Sequence, residues 1–256
     1  MDLRIAGKVA LVTGSSSGLG KACGMALAAE GARIAFAARR LPELERACQE
    51  ARAAGAPGAR AFTVNLEDPQ SITSLVADVR SAFGPIDILV ANGGGPKSAT
   101  AAQLSLDDWD TGYRNVLRSM LHLVGSITPE MRERRWGRIV ALTSTSVKQP
   151  IATLALSSVF RTALVAALKS LSSEVAADGV TVNSIATGRI LTDRLRSLYG
   201  NDEAALRQAA REVPIGRIAE PPELAALVAF LCGEPAAYVT GQTIAVDGGL
   251  VGGLFG

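Results

Sequence analysis

The sequence has few histidine, cysteine and aromatic residues, and each shortage excludes a class of protein. His122 is the only histidine among 256 residues. A histidine-rich metal site and a catalytic arrangement built on two histidines are therefore excluded, and we expect no bound metal. The three cysteines, Cys23, Cys48 and Cys232, are far apart and odd in number. We expect no disulfide framework and a reducing, cytoplasmic location.

The sequence also lacks a strong charge bias and any long apolar run. The formal net charge is +2, which gives no sign of a nucleic-acid partner. No apolar run approaches the roughly 20 residues of a membrane span, and the first residues do not resemble a secretory signal, so we expect no membrane partner. Apolar residues make up 48% of the chain, enough for a substantial core.

Short β-rich runs alternate with longer helical patterns along the whole chain. This alternation predicts a parallel sheet of about seven strands with helices on both faces, in a doubly wound, Rossmann-type α/β fold. We find no linker or internal repeat and predict a single domain over residues 1–256. The predicted strands are 8–14, 32–39, 59–65, 86–94, 137–145, 180–188 and 241–249. The predicted helices are 18–30, 42–54, 69–83, 105–135 with a break near Pro129, 154–178, segments within 193–213, and 221–233.

The stretch "TGSSSGLG" lies between the first strand and the first helix. Glycines permit a tight turn and a close backbone approach to a pyrophosphate, and the free N–H groups of the helix N-terminus favour its negative charge. The stretch therefore predicts a dinucleotide-binding loop, which consists of Gly14, Ser16, Ser17, Gly18, Leu19 and Gly20.

The glycine spacing Gly-x-x-x-Gly-x-Gly resembles that of the short-chain dehydrogenase/reductase family. The segments "LVANGG", "GRIVALTST", "VTVNSIATGRILT" and "VTGQTIAVDGG" resemble further motifs of that family in the same order. The 3-oxoacyl-carrier-protein reductase-like members are the most similar. The resemblance implies a nicotinamide cofactor and additional residues that contact it, namely Asn65, Leu66, Asn92, Gly93, Gly94, Thr187, Gly188, Ile190 and Thr192.

The end of the second strand, "AFAARR", bears on the choice of cofactor. In dinucleotide folds an acidic residue near this position binds the ribose 2′-hydroxyl, whereas an arginine accommodates a 2′-phosphate. Ala38 occupies the position of the acid, and Arg39 and Arg40 follow it. We therefore predict NADP(H) in preference to NAD(H), although the two arginines are also consistent with solvated surface charges.

The family reduces carbonyl groups with a serine, a tyrosine, a lysine and an asparagine. Ser144 matches the serine, but Ser157 stands in place of the tyrosine and Arg161 in place of the lysine. Val116 stands in place of the asparagine. Asn115 precedes it by one position and should point elsewhere unless the helix is offset. The resemblance implies catalytic positions at Ser144, Ser157 and Arg161, with Arg161 also beside the nicotinamide ribose.

These replacements leave two interpretations open. A phenol has a pKa near 10, whereas the pKa of an alkyl hydroxyl is close to that of water, at roughly 16. Ser157 is therefore a poor proton donor near neutral pH. In the first interpretation, the chain is an NADP(H)-dependent oxidoreductase with a non-standard site, and its substrate is a small carbonyl or hydroxy compound or a 3-oxoacyl thioester. In the second interpretation, it is catalytically inactive and acts as an NADP(H)-binding sensor or oligomer partner. Tyr113, Lys97 and Lys148 are candidates for a substitute acid.

Two further segments bear on substrate and assembly. Residues 193–213 resemble the variable substrate lid of the family, and Arg194 and Arg196 there either attract an anionic substrate or are solvated. The family commonly forms tetramers. We therefore expect a homo-oligomer, a tetramer or a dimer, in which the apolar tail 250–256 packs at a subunit interface.

Overall fold

A computed structural model describes residues 1–254, and its single sheet confirms the predicted α/β class. All seven strands are parallel, in the order β3-β2-β1-β4-β5-β6-β7. Strand order reverses between β1 and β4, so a crevice opens where their carboxyl ends diverge. The strands are β1 (Val9–Thr13), β2 (Arg33–Ala38), β3 (Ala59–Thr63), β4 (Ile88–Ala91), β5 (Gly137–Leu142), β6 (Val180–Thr187) and β7 (Thr243–Val246).

Nine α-helices lie within the described residues. They are α1 (Gly18–Ala29), α2 (Leu41–Ala53), α3 (Pro69–Phe83), α4 (Leu106–Gly112), α5 (Ser119–Glu133), α6 (Ala155–Val175), α7 (Asp193–Leu198), α8 (Glu203–Arg211) and α9 (Pro221–Cys232). The predicted lid segment thus contains two short helices, α7 and α8. None of the helices in residues 1–254 is both long and apolar enough to cross a membrane.

Two apolar layers cover the two faces of the sheet. Successive strand residues point to opposite faces, so Ala10 and Val12 of β1 join one layer while Val9 and Leu11 join the other. Helices α1, α2 and α9 pack on the first face, and α3, α5 and α6 on the second. This double burial explains why the strands read as nearly continuous apolar runs.

The predicted break near Pro129 is wrong. Pro129 lies inside α5, and the irregularity falls earlier, in a π-helical segment at Tyr113–Arg118 that joins α4 to α5. A proline ring clashes with the residue four positions before it, and here that residue is the exposed Gly125. The carbonyl that loses its helical partner is therefore at the surface, where water can satisfy it.

Gly24 of α1 packs directly on the ring of Phe36, which is fully buried. A Cβ atom at Gly24 would lie 2.8 Å from Phe36 Cζ and closer still to Cε1. We expect Gly24→Ala to lower the free energy of unfolding by about 1–3 kcal/mol, because overpacking outweighs the gain in helix propensity. Urea denaturation measures the change.

The matched control is Gly125→Ala in α5. A Cβ there would meet no atom within 4 Å. Only helix propensity then acts, and we expect stabilisation of up to about 1 kcal/mol. Changes of the same sign in the two variants would contradict the assigned packing.

Candidate nucleotide-binding and active site

A cavity of about 860 Å³ opens at the carboxyl ends of the central strands. Its size suits a ligand of cofactor dimensions. It brings together all but one of the residues that the sequence predicts for binding and catalysis. They are Gly14, Ser16, Ser17, Gly18, Leu19, Arg39, Arg40, Asn65, Leu66, Asn92, Gly93, Gly94, Ser144, Ser157, Arg161, Thr187, Gly188, Ile190 and Thr192.

The exception is Gly20, which does not line the cavity. A Cβ at Gly20 would collide with the carbonyl oxygen of Gly14, so this glycine lets α1 pack tightly against the loop. Gly14 and Gly18 have φ angles of +58° and +56°, which favour glycine. The loop is therefore a backbone cradle that larger residues would fill.

Hydrogen bonds join the loop to the end of β4. The Thr13 hydroxyl donates to Asn92 O at 2.9 Å and accepts from Asn92 N at 2.9 Å. The Asn92 side-chain amide donates to Gly14 O at 3.2 Å. Asn92 thus fixes the floor of the crevice beside the glycine loop.

Arg40 marks the end of the cavity where the predicted 2′-phosphate would bind. Its Nη2 donates to Ser16 Oγ at 3.1 Å and to Ser17 Oγ at 3.0 Å, which places the guanidinium over the glycine loop. Glu43 lies 3.4 Å from Arg40 Nη1. Ala38, at the end of β2, contributes no carboxylate that would repel a phosphate.

Asn65 follows β3 on the same side. Its Oδ1 accepts from Glu67 N at 3.1 Å, and its backbone N–H donates to Ser71 Oγ at 3.0 Å. These bonds fix the side chain and leave its amide N–H groups for a base edge. The adjacent Leu66 also lines the cavity.

The three predicted catalytic positions lie at the other end of the cavity. Ser144 Oγ accepts a hydrogen bond from Ser146 N at 3.1 Å, so its own proton can be donated into the cavity. Ser157, in the first turn of α6, is only 5% exposed and lies with its Oγ 3.1 Å from Ser146 Oγ. The hydroxyl that replaces the tyrosine is thus engaged with a buried neighbour.

Arg161 lies one turn further along α6. Its Nη1 donates to Leu142 O at the end of β5, at 2.8 Å. Burial, and to a smaller extent the charge of Arg194, lowers the pKa of Arg161 from its usual range to about 10. The guanidinium is still charged at neutral pH, so the lysine's positive charge is retained at this position.

The π-helical segment changes which neighbouring side chain faces the cavity. Asn115 lines the cavity, whereas Val116 is 3% exposed and packs in the interior. The helix is therefore offset, which is the condition under which the prediction allowed Asn115 to face the site. A π-type turn depends on tertiary packing that no residue pattern in this segment reveals.

None of the three candidate substitute acids is poised in the cavity as a free acid. Tyr113 does not line it, and its ring packs on Phe160 with the centroids 6.3 Å apart. Lys148 does not line it either. Lys97 does, but its Nζ is held by Asp108 at 2.9 Å.

The cavity wall near β6 carries two threonines. Thr187 Oγ1 is buried and has no hydrogen-bond partner within residues 1–254. Thr192 caps α7 by accepting from Leu195 N at 3.2 Å. An unpartnered buried hydroxyl at one end and a glycine cradle at the other fit a dinucleotide with a polar carboxamide.

The fold is a doubly wound α/β sheet, and its cavity brings the glycine loop and Ser144 to one edge of that sheet. A model of the family described as Enoyl-(Acyl carrier protein) reductase matches residues 14–251. The chain is 34% identical over 244 residues to the 3-oxoacyl-[acyl-carrier-protein] reductase FabG of Salmonella typhimurium, covering 95% of this chain and 97% of that protein.

Two further comparisons agree. The Dehydrogenase/reductase SDR family member 4 of Oryctolagus cuniculus is 33% identical over 248 residues, covering 96% of this chain and 94% of that protein. A crystal structure of L-sorbose reductase from Gluconobacter frateurii, complexed with NADPH and L-sorbose, superposes with a TM-score of 0.93 at 34% identity, covering 99% and 100% of the two chains. The chain belongs to the short-chain dehydrogenase/reductase family of oxidoreductases.

The buried hydroxyl pair of Ser146 and Ser157 predicts a coupled effect on stability. Ser157→Ala leaves the Ser146 hydroxyl without this partner, and we expect a loss of about 1–3 kcal/mol in the free energy of unfolding. Adding Ser146→Ala should cost less than the sum of the single changes, with a coupling of about 0.5–3 kcal/mol. Urea denaturation of the four proteins measures this coupling, and additive effects would contradict the pairing.

Proposed function

We propose that this protein is an NADP(H)-dependent reductase of small carbonyl compounds, with the 3-oxoacyl thioesters of its named relatives as one substrate class. One observation carries the proposal: the Ser144 hydroxyl and the charged Arg161 line the same cavity as the glycine loop and Arg40. The NADPH complex of L-sorbose reductase supports the choice of cofactor.

The residues present fit the cofactor along the length of the cavity. Gly14 to Gly20 and the N-terminus of α1 would hold the pyrophosphate, and Arg40 the 2′-phosphate. Asn65 would contact the adenine. Arg161 would contact the nicotinamide ribose, and Thr187 or Thr192 the carboxamide. When bound, the nicotinamide supplies or accepts the hydride.

Negative charge develops on the substrate oxygen as its carbonyl carbon gains a hydride. The Ser144 O–H donates a hydrogen bond to that oxygen, and the positive charge of Arg161 stabilises it electrostatically. No phenol supplies the proton, so the oxygen takes it from water at the open cavity. Without a positioned general acid, turnover should be about 10²- to 10⁴-fold slower than in a tyrosine-bearing site.

A second function, cofactor binding without turnover, is favoured by one contact. The Ser157 hydroxyl lines the cavity but is hydrogen-bonded to the Ser146 hydroxyl, and an alkyl O–H is a poor acid. The protein would then act as an NADP(H)-dependent sensor or oligomer partner.

The remaining sequence-based expectations stay predictions. They are the cytoplasmic location, the single domain over 1–256 with a lid near 193–213, and the homo-oligomer. The tail assigned to a subunit interface ends in Phe255 and Gly256, which lie outside the described residues.

Cofactor choice is tested by Arg40→Ala. We expect the affinity for NADPH to fall by about 10- to 100-fold, because a charge-assisted contact to the 2′-phosphate is lost, while the affinity for NADH is unchanged. Fluorescence titration of both coenzymes measures this. Arg46→Ala is the matched control, since Arg46 lies on α2, the helix that Arg40 precedes, and forms an ion pair with Glu43 at 3.9 Å. Equal weakening of NADPH and NADH by Arg40→Ala would contradict the assignment.

Catalysis is tested by Ser144→Ala. We expect kcat for NADPH-dependent reduction to fall by about 10²- to 10³-fold while the Kd of NADPH stays within about twofold, because the hydroxyl acts on the developing charge. Ser158→Ala is the control, since its hydroxyl donates to Leu154 O in its own helix. Turnover that survives Ser144→Ala would overturn the proposed reaction. Tight NADPH binding with no turnover of any carbonyl by the wild type would establish the second function.

A further inference from the structure

Two arginine side chains line the reaction end of the cavity, and within residues 1–254 neither is paired with a carboxylate. Arg161 comes from α6 and Arg194 from the first turn of α7. Their hydrogen bonds go to neutral groups: Arg161 Nη1 donates to Leu142 O, and Arg194 Nη2 to Pro96 O, both at 2.8 Å. Within residues 1–254 neither guanidinium has a carboxylate oxygen within 4.0 Å.

The two guanidinium groups differ in exposure, since Arg161 is partly buried whereas Arg194 is exposed. Desolvation lowers the pKa of both arginines, and the charge of Arg194 also lowers the pKa of Arg161. The partly buried Arg161 loses hydration, and the like charge of Arg194 adds repulsion. A bound anion would relieve both penalties.

The acidic residues that line the cavity do not neutralise this pair. Asp108 is held by Lys97 at 2.9 Å. Asp193 is exposed at the start of α7 and makes no salt bridge. Glu67 follows Asn65 on the loop after β3, toward the adenosine end. The positive charge at the reaction end is therefore uncompensated by the protein.

This arginine pair is distinct from the predicted 2′-phosphate site. Arg40 follows β2, whereas Arg161 is tied to the end of β5, and β1 and β4 lie between them. Three strand spacings separate the two ends by about 14 Å. The two ends can therefore hold different anionic groups at the same time.

The loop after β4 is shaped to receive Arg194. A Cβ at Gly95 would lie 2.6 Å from Arg194 Nε and 2.8 Å from its Cζ. A side chain at this position would therefore displace the guanidinium from this backbone. Gly95 does not have a positive φ angle, so its absent side chain serves this contact rather than a turn.

We propose that Arg194 binds a carboxylate of the substrate, assisted by the positive charge of Arg161 at the same end of the cavity, so that the cavity is selective for oxo acids and hydroxy acids over neutral carbonyl compounds. The proposal rests on the proposed function of the cavity as a reductase site. Guanidinium groups match a carboxylate in geometry, and holding it there would present the substrate carbonyl to Ser144.

The test measures binding in protein saturated with NADP⁺, where no hydride can be donated to a carbonyl. Isothermal titration calorimetry compares 2-oxobutanoate, 3-oxobutanoate and 4-oxopentanoate with their methyl esters, which varies the spacing between carboxylate and carbonyl. We expect at least one acid to bind about 10-fold or more tightly than its ester.

Three variants locate the preference. Arg194→Gln should remove it while leaving ester affinity unchanged. Gly95→Ala should weaken it by displacing the guanidinium without removing its charge. Arg196→Gln is the matched control on the same helix, since Arg196 pairs with Glu203 at 2.6 Å, and it should keep the full preference.

Equal binding of acid and ester at all three spacings would overturn the proposal. So would an Arg194→Gln variant that keeps the acid preference, or one that loses only NADP⁺ affinity, which would assign the arginine to the cofactor. If NADP⁺ does not bind the wild type, the proposed function fails, and the same acid–ester comparison on cofactor-free protein still decides the carboxylate site.

Discussion

The hydrogen bonds between Thr13 and Asn92 are the constraint on which the rest of the site depends. They tie the end of β1 to the end of β4 at the point where strand order reverses, and the Asn92 amide also holds the carbonyl of Gly14. A crevice opens at such a reversal in any doubly wound sheet. Here the bonds fix the glycine loop on one side of that crevice and the "GGGP" loop on the other. The proposed phosphate-binding end and the proposed reaction end thus lie on one edge of the sheet that these bonds hold together.

The fold and most of the cavity could be predicted because their signals are local. The alternation of β-rich and helical patterns predicts a sheet with helices on both faces, and the glycine spacing predicts the loop after β1. Motif spacing placed Ser144, Ser157 and Arg161 together. The orientation of Asn115 could not be predicted, because a π-type turn is set by packing against other helices rather than by its own residues. The effect of Pro129 could not be predicted from its own position either. It depends on the residue four positions earlier, Gly125, which is exposed, so that water can bind the carbonyl left without a helical partner.

The altered residues change the chemistry of the site more than its shape. Ser157 is too small to reach a substrate as a phenol would, and its hydroxyl is paired inside the protein. Arg161 keeps a positive charge in the cavity but is hydrogen-bonded to Leu142 O and does not relay a proton. Together with Arg194 it concentrates positive charge where a lysine–tyrosine pair would carry out proton transfer. The site is therefore better suited to holding an anion and stabilising charge than to general acid catalysis.

The most direct test of this account is a crystal structure of the protein with NADP⁺ bound. The account predicts the 2′-phosphate against Arg40, the pyrophosphate over the glycine loop, and the nicotinamide beside Ser144 and Arg161. A dinucleotide bound elsewhere, or a nicotinamide turned out of the cavity away from Ser144, would contradict it.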